Sequence, residues 1–483
     1  MNNLIDFIEE HAQKEPSKIA IITKNKKLTF QELVLQSTLF KNSLDYLPKN
    51  SVVSLMFENS INFVISYIGI LKAGLIAHVL PHDISEKNFL FQLKSSNSKL
   101  LIIENKKFNF LENNNISIKI NTFDEMVSKN SSNHIDISLS DYAHLLYTSG
   151  TTSEPKGVPI THSNLIFTLK NIISVLGYSS FDNLLLPLPL HHSFGLGCLN
   201  TSLFSGGTLV LLQNASDLSE ILKIIKEYEI TVFAAVPATL IKILKFYKND
   251  IKNDFKNLRL IITNSTSIPP ETVSEYKKIL KNGNLATYYG LTEASRSTFM
   301  IFETHLDKDS SVGKPAPGVK IKIANIEHGI GEIWIKGPNV INDYWIHSDN
   351  DEKFIDGWIK TGDLGYFDED GFLYLSGRLD DVINVGGEKV FPYNVEKIIK
   401  NMNGIDEVVV IGQKHDVFGQ TVKAFVKLNP NSSLKKSDIL SFCIKNLEKY
   451  MVPTKIDLIN EFPLTDYGKI KRFMLQTEDQ NND

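Results

Sequence analysis

The sequence predicts an α/β chain. It should have a large N-terminal domain of doubly wound parallel sheets, a small β-barrel-like part, and a smaller α+β C-terminal domain. Three observations predict it. Between Gly207 and Gly290, apolar runs of strand length alternate with stripes of helical period, the mark of strand–helix–strand crossovers. From Val319 to Tyr374 the texture changes to short alternating runs punctuated by glycine. Beyond Asp380 a new strand and helix pattern begins. The domains expected are therefore 1–379 and 380–483, in line with 483 residues being too many for one small core.

Taken in order, the first element is a helix: Leu4, Ile5, Ile8 and Ala12 share one face, and Pro16 ends the run. Asp6, Glu9 and Glu10 stand where a secretory signal would carry positive charge. The apolar run from Phe63 to Ala77 is broken by Ser66, Lys72 and Gly74, short of the roughly 18 continuous residues of a membrane span. Thr208 to Gln213 reads as a strand, and Leu218, Ile221, Leu222 and Ile225 as a helix stripe. Ile230 to Val236 and Leu258 to Thr263 are buried strands, with a helix from Ala238 to Lys248 between them. Pro269-Pro270 opens the next helix, and Asn284 to Tyr289 is the strand after it. In such sheets ligands bind beyond the carboxyl ends of the strands, which places Tyr288-Tyr289-Gly290 at a site. Lys320 to Ile323 and Glu332 to Lys336 read as antiparallel strands. In the C-terminal part, strands are expected at Glu407 to Gly412, Val422 to Leu428 and Lys455 to Ile459, with a helix over Lys436 to Lys449. The polar stretch from Gln476 to Asp483 should fray.

Composition narrows the partners. A hydrophobic fraction of 42% is that of a soluble globular protein, and a net charge of −4 makes no electrostatic case for nucleic acid or an anionic membrane. Cys198 and Cys443, far apart, cannot form a disulfide framework, so a cytoplasmic setting with reduced thiols is expected.

Four motifs carry chemistry. Tyr147-Thr-Ser-Gly-Thr-Thr-Ser-Glu-Pro-Lys-Gly157 is a loop of hydroxyl residues and glycine that can aim N–H and O–H groups at phosphate oxygens. Lys156 adds a point charge, but the order is not that of a Walker loop. Alone, the segment is equally a surface turn. In Tyr288-Tyr-Gly-Leu-Thr-Glu293, Gly290 permits close approach of a flat ligand, Thr292 can donate to phosphate, and Glu293 can hold a hard cation. The plainer alternative is that Thr292 and Glu293 open the next helix. Trp358-Ile-Lys-Thr-Gly-Asp363 and Ser376-Gly-Arg-Leu-Asp-Asp381 offer a carboxylate for two ribose hydroxyls and an arginine behind it. The last is Pro463-Leu-Thr-Asp-Tyr-Gly-Lys-Ile-Lys-Arg472.

In their order and spacing these motifs resemble the adenylate-forming (AMP-binding) superfamily: acyl-CoA synthetases, carrier-protein adenylation domains and firefly luciferase. The resemblance runs from Leu28-Thr-Phe-Gln-Glu-Leu33 through Leu71-Lys-Ala-Gly74 to Lys469. It implies a ligase that uses ATP and Mg²⁺ to convert a carboxylic acid to its acyl-adenylate. The acyl group then passes to coenzyme A or to the phosphopantetheine arm of a separate carrier protein. Thr148, Ser149, Gly150, Thr151, Thr152 and Lys156 would close over the outer phosphates. Tyr289 and Gly290 would pack the adenine, Thr292 would touch the α-phosphate, and Glu293 would hold Mg²⁺. Asp363 with Arg378 would bind the ribose, and Lys469 would bridge the acid carboxylate and the α-phosphate. The resemblance also implies a mobile C-terminal domain hinged at Asp380, with Gly387 in the Gly386-Gly-Glu-Lys389 loop facing the thiol. His192, Ser265, Thr266, Ser267 and Tyr288 would line the acid pocket, and the extra hydroxyls of Ser265 to Ser267 point to a polar or short acid.

The chain departs from the family at Ser153, where glycine is usual, and at Asn384, Asn394 and Gln420, which are expected to be structural. Arg296 reads as a surface residue more readily than as a partner for a second anionic group. His191 and His192 are not expected to pair on a metal, because neighbours on an extended segment point opposite ways. A non-catalytic nucleotide-binding regulator is the rival from another class, against which Glu293, Asp363, Arg378 and Lys469 are all present.

Overall fold

The computed structural model describes residues 3–104, 118–128, 140–148, 154–305, 307–327, 329–346, 352–463, 470–472 and 474–475. The chain forms two compact units, one of residues 1–320 and 335–359, the other of residues 321–334 and 360–483.

The first unit holds two large sheets. In one, strands Ile19–Ile22, Asn183–Leu186, Thr208–Leu211, Val232–Ala234, Leu260–Thr263 and Asn284–Tyr289 run parallel, and Lys27–Thr29 and Thr298–Ile301 pair antiparallel towards its edges. In the other, Val52–Met56, Ile76–Leu80, Leu100–Ile103, Lys119–Thr122 and Tyr142–Thr148 are parallel, and Lys156–Thr161 returns antiparallel. Strands buried on both faces need continuous apolar runs, and Val52–Met56, Ile76–Leu80 and Leu260–Thr263 are buried at every position. The helices between them follow the predicted stripes. Leu218–Glu227 buries Ile221, Leu222 and Ile225, and Asp217 caps it by accepting from the Ser219 and Glu220 N–H groups. Proline opens Pro237–Tyr247 and Pro270–Ile279 at their first turns. The apolar run after Phe63 becomes helix Ile61–Lys72, buried at ten positions, and then strand Ile76–Leu80. Its hydrophobicity serves a protein core; among the described residues no helix is long and apolar enough to cross a membrane.

The amino ends of three parallel strands are tied together by charge. Asp182 accepts from Arg259 through both oxygens, at 2.7 and 2.6 Å, from the Thr231 hydroxyl at 2.8 Å and from the Ser179 N–H at 2.8 Å. Burial pushes the Asp182 carboxyl up, but these bonds and the guanidinium outweigh it and hold it below its ordinary value. Removing Arg259 strands a buried carboxylate. Arg259→Ala is expected to lower stability by about 2–3 kcal/mol, less than a fully buried pair would lose because the guanidinium keeps partial solvent contact. A fall in the urea midpoint at unchanged slope checks it.

In the second unit, Trp358–Phe367 and Leu373–Arg378 are antiparallel partners, which sets Asp363 opposite Arg378. The C-terminal strands Ile405–His415 and Gly419–Leu428 form a long antiparallel pair, with Lys455–Leu458 parallel to the second. Helices Pro392–Lys400 and Lys436–Asn446 cover this sheet through Val395, Ile399, Ile439 and Cys443. Cys198 and Cys443 are both free and buried.

Candidate active site

The site begins where parallel strands end. Strand Leu260–Thr263 runs into Asn264 to Ser267, and Ser265 takes a φ of +91°, a conformation in which a side chain is strained. Strand Asn284–Tyr289 runs into Gly290. A Cβ there would lie 2.6 Å from the Ala294 carbonyl oxygen and 2.7 Å from the Arg296 nitrogen, so only glycine fits. The reason is the turn that follows: Leu291 and Ala294 exchange backbone hydrogen bonds, and the Ser297 N–H returns to the Tyr289 carbonyl. The chain then enters strand Thr298–Ile301. Thr292 and Glu293 therefore open no helix, and that alternative is overturned.

The turn carries Glu293 into the protein, where it is 5% exposed. Its Oε1 accepts from the Tyr344 hydroxyl at 2.7 Å and from Lys353 Nζ at 2.9 Å, while the Ile341 N–H binds its carbonyl. Burial pushes this carboxyl up, yet the Lys353 charge and the two side-chain hydrogen bonds leave it below its ordinary value. Lys156 lies 4.6 Å from the Tyr344 ring centre. The ring of Tyr344 thus joins Lys156, expected to close over the outer phosphates, to the carboxylate expected to hold Mg²⁺. Neither Tyr344 nor Lys353 belongs to a motif, and no local pattern marks them.

Glu293 suits Mg²⁺ as a lone buried carboxylate that already attracts an ammonium group; this ion takes one or two protein carboxylates and completes its shell with water and phosphate. Among the described residues no cluster of three or more potential metal ligands occurs.

Thr148 and Lys156 face each other across the strand pair Tyr142–Thr148 and Lys156–Thr161. Ser149, Gly150, Thr151, Thr152 and Ser153 lie outside the described residues. So does Lys469; on either side of it the Lys471 N–H binds the Pro463 carbonyl.

The expected acid-pocket residues His192, Ser265, Thr266, Ser267 and Tyr288 all lie in the first unit. Tyr288 is buried, edge-on to Phe194 at 5.6 Å, and burial pushes its phenol up to about 12. His192 precedes helix Ser193–Ser205. The His191 and His192 rings are 4.3 Å apart, contrary to the expectation that they point opposite ways. The segment is a turn, with the His192 N–H on the Pro189 carbonyl, so strand alternation does not apply. Burial lowers His191 to about 3, which keeps it neutral. The surface reading of Arg296 also fails: it is 5% exposed.

In the second unit, Arg378 Nη1 donates to Asp363 Oδ1 at 2.7 Å. Asp380 lies in the single turn Leu379–Asp381, mostly exposed. Gly386 and Gly387, at φ +60° and +98°, make the tight hairpin turn that brings Val385 opposite Glu388. The Gln420 side chain accepts from the Asn384 N–H at 2.8 Å, a structural role for that departure.

Comparison with known proteins shows the family. The AMP-binding enzyme family matches residues 8–345, and its C-terminal domain matches residues 394–469. A 2-succinylbenzoate–CoA ligase of Bacillus subtilis is 31% identical over 98% of this chain and 97% of its own length. An oxalate–CoA ligase of Arabidopsis thaliana is 30% identical over 98% and 97%. Among solved structures, ATP-bound MatB from Rhodopseudomonas palustris superposes with a TM-score of 0.91 at 26% identity, covering all of both chains. The o-succinylbenzoate CoA synthetase of Bacillus subtilis, in complex with its acyl-adenylate intermediate, gives 0.86 at 30% identity over 97% of each.

Proposed function

This chain belongs to the AMP-binding enzyme family, and on that basis we propose that it is an ATP-dependent acid–thiol ligase that joins a small polar carboxylic acid to coenzyme A. The junction of Lys156, Tyr344, Lys353 and Glu293 beside the Tyr288 to Glu293 turn carries this reading. It gathers a buried anion and two cations at the carboxyl end of a parallel sheet, where a polyphosphate and its metal require them.

In the first half-reaction an acid oxygen attacks the α-phosphorus of ATP. The α–β bridging P–O bond breaks, and pyrophosphate leaves with the electron pair. Two anions must meet, so the residues act by neutralising charge. Thr148 to Thr152 and Lys156 hold the outer phosphates, and Thr292 donates to the α-phosphate. Lys469 spans the carboxylate and that phosphate. Mg²⁺ at Glu293 supplies further neutralisation when bound. Lys353, already on Glu293, is a second cation for the same region. Tyr289 and Gly290 pack the adenine, and Asp363, oriented by Arg378, accepts from the ribose hydroxyls. In the second half-reaction the thiolate attacks the acyl carbonyl and AMP leaves. Rotation about Asp380 withdraws Lys469 and brings the Gly387 turn to the thiol. His192, Ser265, Thr266, Ser267 and Tyr288 line the acid's side of the site.

ATP–pyrophosphate exchange over a panel of acids tests the reading, and exchange with at least one acid is expected. ATP binding without exchange for any acid would instead identify a nucleotide-binding regulator. Once an acid is found, coenzyme A or a phosphopantetheinylated carrier protein is added. Greater AMP release with coenzyme A is the expected result; release only with the carrier would make that protein the acceptor.

A further inference from the structure

Arg296 is built into the first unit in a way that the steps above do not use. Its backbone takes a φ of +51°, strained for a residue with a side chain, and the residue is 5% exposed. The guanidinium stacks on Tyr288, with 4.7 Å to the ring centre, and donates to the Ser193 and Phe194 carbonyls and the Ser295 hydroxyl. It fills the place of a side chain at Gly197, where a Cβ would lie 2.1 Å from Nη2. That glycine, inside helix Ser193–Ser205, is the space in which the guanidinium sits.

These hydrogen-bond partners are all neutral, and among the described residues no carboxylate forms an ion pair with it. Glu293, three residues away, is engaged by Lys353 and Tyr344. Burial keeps the nearby Cys198 thiol and Tyr288 phenol protonated, both pushed up to about 12. A buried guanidinium with no counter-charge is unfavourable unless a ligand brings one. Arg296 also lines a cavity of about 40 Å³, where Thr292, Ser295 and Arg296 face mostly apolar walls that include Leu146, Ile160 and Leu196.

We propose that Arg296 sets acid specificity by binding a second carboxylate of the substrate, so that short dicarboxylic acids are preferred. The inference rests on the ligase reading above. In the reading above Lys469 already meets the reacting carboxylate, so the anion left for Arg296 is a second one. The small volume favours a short diacid over a long chain or a fused ring.

The test compares wild-type exchange with malonate against propionate and succinate against butyrate. A kcat/KM ratio for diacid over monoacid on the order of 100 or more is expected. Equal use of the monoacids would overturn the role of Arg296 and leave the ligase reading standing. No exchange with any acid would remove both. In Arg296→Met the diacid KM should rise about 100-fold while the ATP KM holds, and Arg296→Lys should recover part of the loss. A folded Arg296→Met protein with an unchanged diacid preference would also overturn it, whereas the wild-type ratio decides the matter even if the variants do not fold.

Discussion

Lys469→Ala is expected to lower acid-dependent ATP–pyrophosphate exchange by about 100- to 1,000-fold, the usual loss when one preorganised charge-stabilising group is removed. The effect is large because two anions meet in that step, and water would have to reorganise to do what a fixed ammonium does. Thioester formation from synthetic acyl-adenylate and coenzyme A needs no such neutralisation, since AMP leaves from a carbonyl already activated. That half-reaction should keep its rate within about threefold. Equal losses in both half-reactions would show that Lys469 supports the fold or coenzyme A binding, and the two-pose account would fall. Lys469 stands in the Gly468-Lys469 pair, at the end of the stretch that matches the family's C-terminal domain.

Glu293→Gln is the second large effect, and it should appear in both activity and stability. Exchange should fall by on the order of 100-fold, with the Mg²⁺ concentration needed for half-maximal rate rising, because an amide is a poorer ligand for a hard cation. Folding stability should fall by about 1–3 kcal/mol, since Lys353 and Tyr344 lose their charged acceptor. The pH dependence follows from the direction of the Glu293 shift. Its carboxyl is held below the ordinary 4.5, so the folded protein binds its proton less readily than the unfolded chain. Its contribution is then complete above that value and is lost as pH falls through the lower folded-state value. The stability gap between wild type and variant should be constant at neutral pH and close in acid. A gap that grew on acidification would mean that the carboxyl is protonated in the folded state, and the ion pair with Lys353 would have to be abandoned.

Much of the fold was legible from local pattern. Asn284–Tyr289 occupies the predicted strand, and Leu218–Glu227 carries the predicted stripe. These elements could be read because a strand buried on both faces and a helix buried on one leave different periods in the sequence. The motif from Tyr288 to Glu293 was legible for a related reason. A strand end and the turn that follows it are built from consecutive residues, so their pattern is written in one place.

What surrounds that motif was not legible. Tyr344 and Lys353 reach Glu293 from 51 and 60 positions along the chain, and nothing near either residue announces the contact. His191 and His192 were misjudged because a turn, not a strand, governs their directions. Arg296 was misread as exposed because its burial depends on a space that Gly197 leaves in another element. By itself, the sequence determined the parallel-sheet framework and the family's nucleotide motifs, since both depend on neighbouring residues and their spacing. Only the tertiary structure decided which charges are paired and which are buried among neutral groups, because Coulomb interactions and burial depend on distance in space, and packing alone sets that distance.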